Sequence, residues 1–249
     1  MSGYWIVMAM LFVALICVVV AAALETEGQH ESEPPRRPVW VSLGGSAGIG
    51  PGGSSTDERS WSDRLYASMP PVLAPHYHDL SAPGSTIAMA RVVQLPAALD
   101  LRPDAVTLWL VIDDLLAGTT LESYGDDLRA TLDSLTAAGA RVIVGNVPAL
   151  LKGDQTSDDV PGLLPTHEPM VEDWNRAIAR LADRTGVELI DLSEEVEVQL
   201  SAPSPASGSW SLSDAATHQL AARFQPAVVR ALTGGARTDH PQRNRTEGS

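Results

Sequence analysis

The sequence predicts an α/β fold with a mostly parallel five-stranded sheet and helices on both faces. Three observations carry this. Five strand-like stretches recur, the strongest being Ala105–Ile112 (AVTLWLVI), and between them lie segments with helical spacing of apolar residues. Strands joined by helices of ten or more residues pair in parallel. A hydrophobic fraction of 44% supplies the core that such layers need.

Val39–Leu43 is the first strand, a buried apolar run that ends in Gly44-Gly45-Ser46. Asp57–Ser68 reads as a helix with Trp61 and Leu65 on one face. His76–Leu80 is a short second strand, and Thr86–Leu99 carries one helix. Ala105–Ile112 is the third strand. Leu121–Ala138 is an amphipathic helix, with Tyr124, Leu128, Leu132 and Leu135 at helical spacing and Gly139 as its stop. Arg141–Val144 is a strand closed by Gly145-Asn146-Val147-Pro148, and Met170–Arg184 and Val187–Asp191 form the next helix and strand. A last helix starts near Ser211 or Ser213. Ser211 with Asp214 fits a capping pair, and Pro226 is expected to kink or end that helix.

Outside this region, Tyr4–Leu24 carries no charge and, at about twenty residues, is long enough to span a bilayer. A cleaved signal peptide has a basic residue before a shorter apolar region, and Met1-Ser2-Gly3 has none. Residues 1–24 are therefore read as an uncleaved single-pass anchor, 25–38 as a polar, Pro-containing linker, 39–233 as the folded domain and 234–249 as a disordered tail. Arg36 and Arg37 follow the span and, by the positive-inside rule, point to a cytoplasmic domain. The single cysteine, Cys17, lies in the apolar run and forms no intramolecular disulfide. The net charge of −14 argues against a nucleic-acid partner.

The chemistry centres on Ser46, at the carboxyl end of the first strand, where ligands sit in open α/β sheets. Gly48-Ile49-Gly50-Pro51-Gly52-Gly53 formally matches a dinucleotide fingerprint. Pro51 and the polar Ser54–Arg59 stand where an apolar helix is required, so the stretch reads as a plain Gly-rich loop. Asp113 and Asp114 suggest a metal site, but no third ligand is visible, and neither metal nor cofactor is expected.

Four stretches, in order and spacing, resemble the SGNH/GDSL hydrolases. Gly44-Gly45-Ser46 with Gly50 is similar to that family's first block, Gly-Asp-Ser-x-x-x-Gly. Asp79–Thr86 with Gly84 is similar to the second, and Trp109–Leu116 to the third, usually Gly-x-Asn-Asp. Ser213-Asp214-Ala215-Ala216 resembles the start of the last helix, just after Asp-x-x-His. The resemblance spans about Val39 to Phe224. It implies a three-layer α/β/α sandwich, flavodoxin-like in order, and ester hydrolysis with Ser46 as nucleophile. The N–H groups of Ser46 and Gly84 would then form the oxyanion hole. The implied partner is a small-molecule acyl ester or acylated glycan, and the implied side of the membrane is extracytoplasmic, against the arginine signal.

The match departs from the family where proton transfer is needed. The asparagine position holds Asp113, which accepts hydrogen bonds but donates none when ionised. The histidine position holds Ser211, the aspartate position Gly208, and Gly45 replaces the aspartate of the first block. His167, in the long loop Leu151–Glu168, is the best substitute base; His76, His78 and His218 are read as residues without a chemical role. Loss of one oxyanion donor costs about 10²–10³ in rate, and loss of the base about 10⁶. The alternative to a hydrolase is thus a catalytically inactive, membrane-tethered binding module that keeps the pocket.

Overall fold

The structure, a computed structural model, describes residues 36–46, 60–148, 168–193, 200–201 and 211–234. The chain divides into two units, Met1–Arg36 and Arg37–Ser249, and every described residue except Arg36 belongs to the second. Among the described residues no helix is long and apolar enough to cross a membrane. The expected anchor, most of the linker, the Gly-rich loop, His167, Gly208 and the tail from residue 235 lie outside the described residues.

Five parallel strands form one sheet in the order β2-β1-β3-β4-β5: β1 Val39–Gly44, β2 His76–Asp79, β3 Ala105–Trp109, β4 Arg141–Gly145 and β5 Glu188–Ile190. β1 is flanked on both sides, pairing Val41 with His78 and with Val106. This order places the sheet's reversal at β1, where doubly wound folds hold their ligands. Helices α1 Trp61–Ala67 and α7 Asp214–Thr233 pack together, with the Trp61 and Phe224 rings 4.5 Å apart. Helices α2 Ile87–Val92, α3 Gln94–Asp100, α5 Leu121–Ala137 and α6 Glu168–Thr185 form the other layer, where Tyr124 meets Trp174 at 4.7 Å. The predicted α/β/α sandwich is therefore the observed one. A small antiparallel pair, β6 Leu200–Ser201 with β7 Ser211–Leu212, was not anticipated.

Several element boundaries differ from the sequence reading. Helix α1 begins at Trp61 rather than Asp57, because Ser60 caps it: Ser60 Oγ accepts the Asp63 N–H at 3.0 Å and the Asp63 carboxylate accepts the Ser60 N–H at 3.3 Å. Thr86–Leu99 is two helices, not one. Pro96 has no N–H for the Val92 carbonyl and its ring crowds that group, so the chain restarts at Gln94. The apolar run Ala105–Ile112 is likewise not one strand. β3 ends at Trp109, Leu110 turns the backbone (φ −124°, ψ −10°), and Val111–Leu116 forms α4. A continuous apolar run carries no period to mark that change.

Helix α7 is capped by Ser213, whose Oγ accepts the Ala216 N–H at 3.2 Å; the Ser211–Asp214 pair does not form, since Ser211 lies in β7. Pro226 neither ends α7 nor isolates its last turns. The carbonyl that loses its partner belongs to exposed Ala222, while Ala227, Val228 and Ala231 beyond it are buried and hold the helix in place.

Candidate active site

Gly44, Gly45 and Ser46 leave the end of β1 in the middle of the sheet. A buried amide fixes their path. Gln94, 3% exposed, accepts the Gly44 N–H at 3.2 Å and donates to the Gly44 carbonyl at 2.9 Å and to Ser85 Oγ at 3.1 Å. The Ala82 N–H also donates to the Gly44 carbonyl, at 3.1 Å. Gln94 thus satisfies the Gly44 N–H, and Gln94 and Ala82 together satisfy the Gly44 carbonyl.

Gly84 has φ +68°, a left-handed conformation suited to glycine. In it the Gly84 N–H donates to Ser46 Oγ at 2.8 Å. Ser46 is 2% exposed. Its hydroxyl donates to Asp113 Oδ1 at 2.7 Å, and its N–H donates to Asp113 Oδ2 at 2.9 Å. One carboxylate therefore grips both the hydroxyl and the backbone of the serine. The structure brings Ser46, Gly84 and Asp113 into direct contact. It also engages both N–H groups assigned above to the oxyanion hole, one on Asp113 and the other on Ser46 Oγ itself.

Asp113 and Asp114 lie in the first turn of α4, about 100° apart around the helix, and so reach different partners. Asp114 turns away from Ser46 and accepts the Ile87 N–H at 2.7 Å. That bond fixes the first turn of α2, three residues after Gly84. Asp114 is fully buried, and burial pushes its carboxyl up to about 6. Asp79, where the Gly84 segment leaves β2, accepts the Ser81 N–H at 2.9 Å and the Ser62 hydroxyl at 3.3 Å; burial raises its carboxyl too.

Gly45 completes the cluster by what it lacks. A Cβ there would lie 1.9 Å from Asp113 Oδ2 and 2.9 Å from the Ser85 carbonyl oxygen. The bare backbone at 45 gives the Asp113 carboxylate its place. The substitution was visible in the sequence, but its spatial meaning was not. Gln94 gave one faint sign, the uncharged polar residue in a helical stretch whose other polar groups are Arg91 and Asp100.

The histidines are distributed differently. His218 Nε2 pairs with Arg64 at 2.9 Å, and Arg64 also binds Asp214, so this group joins α7 to α1. His76 and His78 lie on the edge strand β2. His167 and Gly208, the positions where a base or its orienting carboxylate was sought, lie outside the described residues. Among the described residues no cluster of three or more His, Cys, Asp or Glu side chains is arranged to hold a metal.

Comparisons with known proteins bear on the fold and the family. The model of the GDSL-like Lipase/Acylhydrolase family matches residues 42–218. Among solved structures, the chain is similar to a lipase/acylhydrolase from Enterococcus faecalis (TM-score 0.56, 15% identity, covering 76% of this chain and 95% of that one). It is similar also to the psychrotrophic esterase EstA from Pseudoalteromonas sp. (TM-score 0.58, 15% identity, 78% and 98% covered). A third is an acetylxylan esterase from Geobacillus stearothermophilus (TM-score 0.54, 16% identity, 79% and 94% covered). At these identities the likeness concerns the fold. No curated protein matches the chain.

Proposed function

Because the chain belongs to the GDSL-like lipase/acylhydrolase family, we propose that it receives an acyl ester at Ser46 while Asp113 suppresses its hydrolysis. The observation that carries this is the double bond from Ser46 to Asp113, 2.7 Å from the hydroxyl and 2.9 Å from the N–H. The seryl proton is committed to a carboxylate, and the N–H that would steady an oxyanion is occupied. A developing oxyanion beside Asp113 would meet like charge instead of a donor, and each lost donor costs about 10²–10³ in rate. The ligand class, a small acyl ester or an acylated glycan, follows the family and the acetylxylan esterase neighbour. The uncharged run Tyr4–Leu24 supports a membrane tether for this module. We place the module on the extracytoplasmic side, following the family, and protease added to intact cells should cut Glu25–Pro38 there.

The 2.7 Å contact also favours a second reading, in which Asp113 is itself the base. The Ser46 proton would pass to Asp113 Oδ1 as Oγ attacks the ester carbonyl, within ordinary general-base reach. One variant separates the two. The full-length protein, its Asp113→Asn form and a Ser46→Ala control are treated with a fluorophosphonate probe and a short-chain aryl ester. Suppression by Asp113 predicts that Asp113→Asn reacts faster at Ser46 than the natural chain. A base at Asp113 predicts that Asp113→Asn abolishes a rate the natural chain already shows.

A further inference from the structure

We infer that the outer face of α2 and α3 docks on a lipid bilayer surface. Ala88, Met89, Val92, Val93, Pro96 and Ala97 are all exposed, with Met89 at 53%, Val92 at 71% and Val93 at 67%. Met89, Val92 and Val93 fall at i, i+3 and i+4 and so share one side of the helical segment. No acidic residue occurs between Asp79 and Asp100, although the chain carries 31 in total. The charged group on this stretch, Arg91, pairs with Asp127 at 3.0 Å and has a long apolar stem. Contiguous exposed apolar surface of this kind marks an interaction site rather than ordinary surface scatter.

The chain itself indicates the occupant. The inference rests on the membrane tether proposed above, in which the uncharged Tyr4–Leu24 run holds the protein to a bilayer and the linker Glu25–Pro38 leads to Val39. Fully extended, that linker reaches at most about 50 Å. Membrane held that close acts as a ligand at high effective concentration, so a face too weak to recruit a free protein suffices for a tethered one. Net charge selects the lipid: at −14 the chain is repelled by anionic headgroups, and the apolar face suits a neutral phosphatidylcholine surface. The same face begins four residues after Gly84, so docking sets the candidate site beside the headgroups.

The test uses full-length protein in phosphatidylcholine vesicles. In a Cys17→Ala background, Val92→Cys carries an environment-sensitive fluorophore, Met89→Cys serves as a second labelled site, and depth is read by quenching with lipids brominated along their chains. The probe should sit about 5–10 Å into the headgroup–acyl boundary at both sites. The same probe on Ala222→Cys, exposed on α7 in the opposite layer, should stay in water and escape quenching. The proposal is overturned if position 92 is as unquenched as position 222, or if the protein does not remain with the vesicles. A blue shift at position 92 without lipid quenching would assign the face to a protein partner and equally overturn it.

Discussion

Asp113 occupies space that a side chain at residue 45 would need: a Cβ built on Gly45 lies 1.9 Å from Asp113 Oδ2. The carboxylate of the first block and the amide of the third have both given way, leaving a single carboxylate at 113. The two positions should therefore respond to substitution as a pair. Gly45→Ala alone should destabilise by about 1–3 kcal/mol, the usual cost of overpacking. Asp113→Ala should absorb part of that cost. A double-mutant cycle on urea unfolding should show a coupling of about 1 kcal/mol or more, whereas strict additivity would show that the Asp113 carboxylate does not depend on the bare backbone at 45.

Gln94 should be worth more than its distance from the chemistry suggests. Gln94→Leu keeps the volume but strands the Gly44 N–H in a buried site and leaves the Gly44 carbonyl with the Ala82 N–H. A loss of about 1–3 kcal/mol is expected from leaving that donor unpaired. Proteolysis next to Ser46 should accelerate with it, because the amide fixes the turn out of β1.

The Asp114 carboxyl, pushed up to about 6 by burial, makes a signed prediction about pH. Its folded value lies above its unfolded one, so the native state binds the proton more tightly. Its contribution is present below about pH 4 and is lost as pH rises through about 6. The loss amounts to at most about 3 kcal/mol. Asp114→Asn still offers an oxygen to the Ile87 N–H. It should flatten the pH dependence of the denaturation midpoint between about pH 4 and 6, and an unchanged slope would assign that dependence to other carboxyls, Asp79 first.

Restoring the missing chemistry tests the scaffold directly. Gly208→Asp with Ser211→His returns a base and its orienting partner ahead of α7, and Asp113→Asn returns a donor. Ser211→His alone should do little, since the pair acts as a unit. The triple variant should gain at least about a hundredfold in aryl esterase rate, the low end for one restored donor. A natural protein that already labels at Ser46 as fast as an ordinary serine esterase would refute suppression by Asp113.

Much of this molecule was legible before any coordinates. The parallel sheet follows from the alternation of strands and helices, and the layering from a family pattern spread over nearly the whole domain. Reading failed where one apolar run served two structures, Ala105–Trp109 as strand and Val111–Leu116 as helix, because burial erases the period that distinguishes them. It failed again at the break after Val92, because Pro96 acts on the carbonyl of a residue four positions earlier. At the site, sequence identified Asp113 as a lost donor. It gave no means of seeing that the same group would take hold of Ser46 twice, because that depends on α4 turning its first residues toward the end of β1. The partners of Gln94 were hidden for a related reason: its three bonds go to Gly44 and Ser85, and only the closed fold makes them neighbours.

The position of β1 has a mechanical consequence. The linker enters the domain at Val39, the first residue of an interior strand hydrogen-bonded along both edges. Val39 is itself locked to Asp104, its N–H on the carboxylate at 2.7 Å and its carbonyl on the Asp104 N–H at 2.9 Å. Tension arriving through the linker along β1 loads those two ladders in shear, many bonds at once, instead of peeling them one by one. Ser46 lies at the far end of the same strand, and its bonds to Gly84 and Asp113 lie beyond the sheet that takes the load.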